Sequence, residues 1–183
     1  MLPASPVVLP SALRPEEQKL LDAVRKNALR RLREGAPLAE VLAQLTCAVE
    51  TLAKGRTVAS ILVLDGDGLL RNGASPNLPP DYLDAIDRLK PHPKLGTWGA
   101  SAATGEIVET PNFYDDAKWA ELRHLPLALG FVGAWSHPIK SAGGRVLGTF
   151  GTYFREQRRP TAAEREGVAL LAGVAARAIV EEP

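Results

Sequence analysis

A β-hairpin legible between Phe131 and Thr161 constrains this chain more than any other stretch. Gly133-Ala134-Trp135-Ser136-His137-Pro138-Ile139 has the composition of one strand, and Val146-Leu147-Gly148-Thr149-Phe150-Gly151-Thr152-Tyr153-Phe154 that of its antiparallel partner. Its β-branched and aromatic residues suit a pleated, half-buried surface. Between the strands, Gly143-Gly144 supplies the positive φ that a tight reversal needs. Pro138 has no N–H to donate, so the first strand either ends there or lies at an edge. Alternation puts Trp135 and His137 on one sheet face and Ser136 on the other.

Three long helices frame this hairpin. Pro15 opens the first, Glu16 and Glu17 fill its first turn, and Arg30, Arg31 and Arg33 crowd its last turn, an order that suits the helix dipole. Leu20, Leu21, Val24, Ala28 and Leu32 form its apolar stripe. After Gly35-Ala36-Pro37, a second helix carries Leu38, Val41, Leu42, Leu45, Val49 and Leu52 at helical spacing. At the other end of the chain, Thr161 and Glu164 have capping-box spacing before a helix that runs to about Glu181.

Shorter elements lie between. Val58 to Leu64 and Leu69 to Gly73, joined by Asp65-Gly66-Asp67-Gly68, form a second hairpin; the acidic turn lacks the bidentate Glu that ends a calcium loop of the EF-hand type. Pro79-Pro80 opens a short helix reaching Leu89. Gly96, Gly99 and Gly105 permit tight turns and a short helix, Ile107 to Thr110 is a strand, and Asn112 to Asp116 caps a helix carrying Trp119, Leu122 and Leu125 as far as Pro126. Met1 to Leu13, rich in proline at its start, is expected to be a disordered lead-in, and 14–183 a single domain.

Composition excludes several functions. The net charge of +1 leaves no field to favour phosphate backbones or anionic membranes, so neither nucleic acid nor membrane is expected as a partner. No apolar run approaches the ~18 residues of a membrane span, and no basic n-region marks a signal peptide, so a cytoplasmic location is expected. Cys47 is the single cysteine, which rules out an intrachain disulfide cycle or a cysteine-rich zinc site. His92, His124 and His137 form no metal-binding pair, and no Ser/His/Asp order or phosphate loop is present.

Taken in order, Trp135-Ser136-x-Pro138-Ile139, then Gly143-Gly144-x-Val146-Leu147-Gly148-Thr149-Phe150 with Tyr153, then Pro160-Thr161-x-x-Glu164 resemble the GAF domain family of small-molecule-sensing modules. Thr104-Gly105-Glu106 and Asp116-x-x-Trp119 extend the resemblance, which covers about Leu38 to Val180. It implies an α/β (α+β) fold: a central antiparallel sheet of about six strands, terminal helices on one face, and loops and short helices over a ligand pocket on the other. Many relatives carry a Gly-Ser-Cys-Gly-like stretch where this chain has Gly96-Thr97-Trp98-Gly99, so an indole stands where a small side chain is usual.

The function implied is that of a non-catalytic sensory domain in signal transduction, free-standing or part of a sensor histidine kinase or cyclic-dinucleotide enzyme. No cofactor is identifiable. A ligand would lie between the sheet and the segments Leu95 to Ala103 and Asn112 to Leu125, with Trp98, Ser101, Phe113, Tyr114, Asp116, Trp119, Trp135 and His137 as candidate contacts. The apolar stripes of the terminal helices point to a homodimer. One alternative is a structural dimerisation module whose cavity is filled; Trp98 packed in a dry, closed core with no cavity beneath those segments would put it in place of the pocket. Another is a reductase of free methionine sulfoxide, which the lone thiol disfavours.

Overall fold

The computed structural model describes residues 9–181. Helices α1 (Pro15–Arg33) and α2 (Leu38–Leu52) lead into strands β1 (Thr57–Leu64) and β2 (Leu70–Ala74). Short helices α3 (Pro80–Ile86) and α4 (Gly96–Thr104), strand β3 (Val108–Thr110), two 3-10 turns (Phe113–Asp115 and Ala117–Trp119) and α5 (His124–Ala128) follow. Strands β4 (Gly133–Lys140) and β5 (Val146–Phe154) then form the expected hairpin, and α6 (Ala162–Val180) closes the chain.

The strands make one antiparallel sheet in the order β2-β1-β5-β4-β3. It has five strands rather than about six. The β4–β5 hairpin is central because β5 pairs with both β1 and β4. β3 pairs with β4 only as far as Ser136, which leaves Pro138 facing an open edge where its missing N–H costs nothing.

Alternation along the strands divides the interior into two cores. On one face, α1, α2 and α6 bury Leu21, Leu42, Leu45, Val168 and Leu171 against Ile61, Trp135, Ile139, Phe150 and Phe154. On the other, Leu62, Ala134 and Tyr153 meet Tyr82, Trp98, Phe113, Trp119 and Phe131 from the connecting segments.

Several local expectations are revised. Met1 to Val8 lie outside the described residues, but the lead-in does not extend to Leu13. Ala12 donates its N–H to Glu166 on α6 (2.7 Å), Ser11 donates to the same carboxylate, and Leu13 is buried. α3 stops at Ile86 because Arg88 turns to φ +63° and the Arg88–Leu89 backbone pairs with Leu70. Pro126 does not end a helix; it sits in the first turn of α5, where its missing N–H has no intrahelical partner to lose. Asp65 accepts the N–H groups of Asp67 and Leu69, so its carboxylate shapes the β1–β2 turn. Thr161 caps α6 by accepting the Glu164 N–H, but the Glu164 carboxylate turns to Arg158, which lies 4.1 Å over the Phe154 ring, instead of completing the box.

Candidate functional site

The connecting segments place an aromatic cluster against the sheet face opposite the terminal helices. Trp98 comes from α4, and the adjacent 3-10 turns supply Phe113 and Trp119. Trp98 meets Trp119 edge to face at 5.9 Å, and Phe113 packs on Trp119 at 4.4 Å. α4 is anchored to the sheet where buried Ser136 on β4 donates to Thr97 (3.0 Å), and Ser101 donates to the Glu106 carbonyl (2.7 Å).

Polar chemistry at this cluster centres on two tyrosines. Tyr82 of α3 donates its hydroxyl to Tyr153 of β5 at 2.7 Å, with the rings edge to face, and Phe131 packs on Tyr153. Burial pushes the Tyr153 phenol up to about 12 and drives Tyr82 well above its ordinary value. The Trp98 indole N–H opposes both shifts from beside the two oxygens, although it falls short of a hydrogen bond with either. The Trp119 N–H is likewise buried and unpartnered. Such a donor typically costs about 1–3 kcal/mol, and the Trp135 N–H in the opposite core is buried and unpartnered as well.

The expected contacts separate into three sets. Trp98, Phe113 and Trp119 converge, and Ser101 is buried behind them holding α4 to the Glu106 carbonyl. Asp116 and Tyr114 stand at the rim. Asp116 accepts from Thr110 (2.6 Å) and from the Lys118 N–H, and pairs with the Lys118 ammonium; burial opposes its ionisation, but these bonds hold the carboxyl below its ordinary value. Tyr114 is 65% exposed and carries Arg123 over its ring.

Trp135 and His137 do not belong to the cluster. Both side chains leave β4 on the α6 face, as the strand period requires, so Trp135 is a core residue beneath the terminal helices. His137 lines a surface cleft of about 370 Å³ with Lys140, Ala169, Ala172 and Gly173. Burial lowers its pKa, the Pro138 carbonyl at 2.8 Å opposes this, and the Lys140 charge lowers it further.

The open cavity expected beneath α4 is also corrected. Trp98 is only 2% exposed, and the aromatic rings fill that space. A cleft of about 400 Å³ lies above them, between His92–Leu95 and Ala117–Glu121. Sequence reasoning left Tyr82, Phe131 and Tyr153 out of the site. For Tyr153, the alternation that sends Phe150 and Phe154 to the helix face already implied the opposite face. Tyr82 carried no such signal, because its place depends on how a seven-residue helix docks.

The profile of the GAF domain family matches residues 35–180. The chain belongs to the GAF domain family. This GAF domain is 34% identical over 173 residues to the methyl sulfide methyltransferase-associated sensor of Methanosarcina acetivorans, covering 92% of the chain but 17% of that relative. Among solved structures it resembles the GAF domain of a phosphoenolpyruvate-protein phosphotransferase from Coxiella burnetii (TM-score 0.71, 19% identity, 90% of this chain and 92% of that one). It also resembles a domain of a protein assigned as a two-component sensor histidine kinase from Sinorhizobium meliloti (TM-score 0.64, 23% identity, 79% and 91%). At these identities the two structures share its fold. Among the described residues no helix is long and apolar enough to cross a membrane.

Proposed function

We propose that this GAF domain is a non-catalytic sensory module that binds a small molecule through the aromatic cluster of Trp98, Phe113, Trp119, Tyr82 and Tyr153. The observation that carries the reading is the cleft of about 400 Å³ that opens over this cluster between residues 92–95 and 117–121, on the sheet face opposite the terminal helices. The signal would pass to an output domain such as a histidine kinase or a cyclic-dinucleotide enzyme. The sensor name of the Methanosarcina relative, which extends far beyond the matched region, supports a sensory role within a larger protein.

The terminal helices fit a homodimer. On α6, Ala169, Leu170, Gly173 and Val180 are exposed, and Leu170 and Val180 are among the few large apolar side chains left in solvent. Cys47 lies exposed on α2, away from the aromatic cluster, and gives a reductase no second thiol.

The second reading is a structural dimerisation module, favoured by the close packing of Trp98. A thermal-shift screen of metabolites, with mass spectrometry of copurified species, separates the two, because a ligand of the folded form raises its melting temperature. A stabilising compound whose effect is lost in Trp98→Ala and retained in Arg30→Ala supports sensing. A screen without any such compound supports the structural module.

A further inference from the structure

We infer that β3 is a coupling strand: Thr110 and Glu109, adjacent residues on its opposite faces, tie the wall of the cleft to the first turn of α6. This coupling rests on the sensory reading of the cleft and names the route by which its occupancy would reach a terminal helix.

The strand period sets up the arrangement. Residues directly opposite each other in an antiparallel pair share a face. Thr110 pairs with Ala134, which belongs to the core on the cleft side, whereas Glu109 pairs with Trp135 beneath the terminal helices. One step along a three-residue strand therefore changes the side of the sheet.

On the cleft side the links run through one carboxylate. Thr110 donates its hydroxyl to Asp116 at 2.6 Å, and the Lys118 ammonium lies 2.9 Å from the same oxygen. Both charged side chains are partly buried, so water and salt screen the pair incompletely. Lys118 is also a wall of the cleft, so a guest there meets the ammonium that Asp116 uses.

On the helix side, Glu109 accepts from Arg159 at 2.9 Å and pairs with Arg165 of α6. Burial opposes the Glu109 charge, yet the two guanidiniums hold its carboxyl below its ordinary value. Arg165 lies in the first turn of α6, where the helix dipole disfavours a cation, and Glu109 is its counter-ion. Among the described residues no other ion pair joins α6 to a strand. Glu166, the next residue, holds Ala12 ahead of α1, so this turn touches both terminal helices.

The coupling needs no lid or hinge. β3 is an edge strand that pairs with β4 alone, so little sheet pairing isolates its two faces from each other. A change in the charge facing Asp116 alters the bond to Thr110, and Thr110 shares a peptide group with Glu109.

The test is amide hydrogen exchange, followed by NMR, at residues 165–168 of α6, with the amides of α2 as reference. Lys118→Met removes the ammonium from the cleft wall without touching β3, and Thr110→Val removes the hydroxyl at similar volume. Lys118→Met suffices if Thr110→Val misfolds. Each is expected to speed exchange at 165–168 relative to α2 by about threefold or more. Neither should add anything in a Glu109→Gln background, where the helix side is already cut. Glu121→Gln, on the same cleft but outside the chain of contacts, should leave α6 unchanged. Unaltered exchange at 165–168 in Lys118→Met, equal acceleration in α2, or an effect that persists in full with Glu109→Gln overturns the coupling. No ligand enters this test, so its failure and the failure of the metabolite screen are separate results.

Discussion

The Tyr82 hydroxyl lies 2.7 Å from that of Tyr153, joining a seven-residue helix to the central strand of the sheet inside an otherwise apolar cluster. Removing one partner strands the other, so Tyr82→Phe and Tyr153→Phe should each cost about 1–2 kcal/mol. The double variant should cost less than the sum of the two. Urea unfolding of the four proteins measures the cycle; strict additivity would show that the bond contributes nothing.

The same pair sets an alkaline limit. Both phenols are raised above 10 in the folded state, so folding is linked to their protonated forms. Their contribution is complete below pH 10 and is lost as pH rises through the folded values. The urea midpoint should therefore fall more steeply above pH 10 in the native protein than in the double Phe variant. Equal slopes would remove the tyrosines from the explanation.

His137 acts at the opposite end of the scale. Its folded pKa is depressed from 6.5, so the unfolded chain binds the proton more tightly. The stability it confers is present above 6.5 and is lost as pH falls toward the folded value. Unfolding followed from pH 7.5 to pH 5.5 should show a shallower loss for His137→Gln than for the native chain.

Gly148 tests the sheet register. A Cβ at this position would stand 2.1 Å from the Leu62 carbonyl oxygen, which the β1–β5 pairing holds in place. Gly148→Ala should destabilise by roughly 3 kcal/mol or more, whereas Gly143→Ala, 4.0 Å from its nearest neighbour in the hairpin turn, should change stability by under about 0.5 kcal/mol. Thermal unfolding of the two variants gives the comparison.

The α6 surface tests the assembly. Light scattering is expected to give a dimer at high micromolar concentration, and Leu170→Glu should shift it toward monomer by placing a charge in an apolar contact. A native monomer under the same conditions would end the homodimer proposal.

Local pattern determined the elements whose information is local. The Gly143-Gly144 reversal between two β-rich runs was enough for the β4–β5 hairpin, and the spacing of Val41, Leu45 and Val49 was enough for α2. The same strand period already separated Trp135 and His137 from Ser136, and so held the correction that removes both from the aromatic cluster. Tertiary structure decided where the short segments between Ser75 and Val132 lie, because helices of five to nine residues have little stability of their own and take their position from what they pack against. The meeting of Tyr82 with Tyr153, 71 positions apart, and the closing of Trp98 over Trp119 where open space was expected are of that kind. A side chain's period says which face it takes; whether that face holds a cavity depends on the volumes of residues brought there from distant parts of the chain.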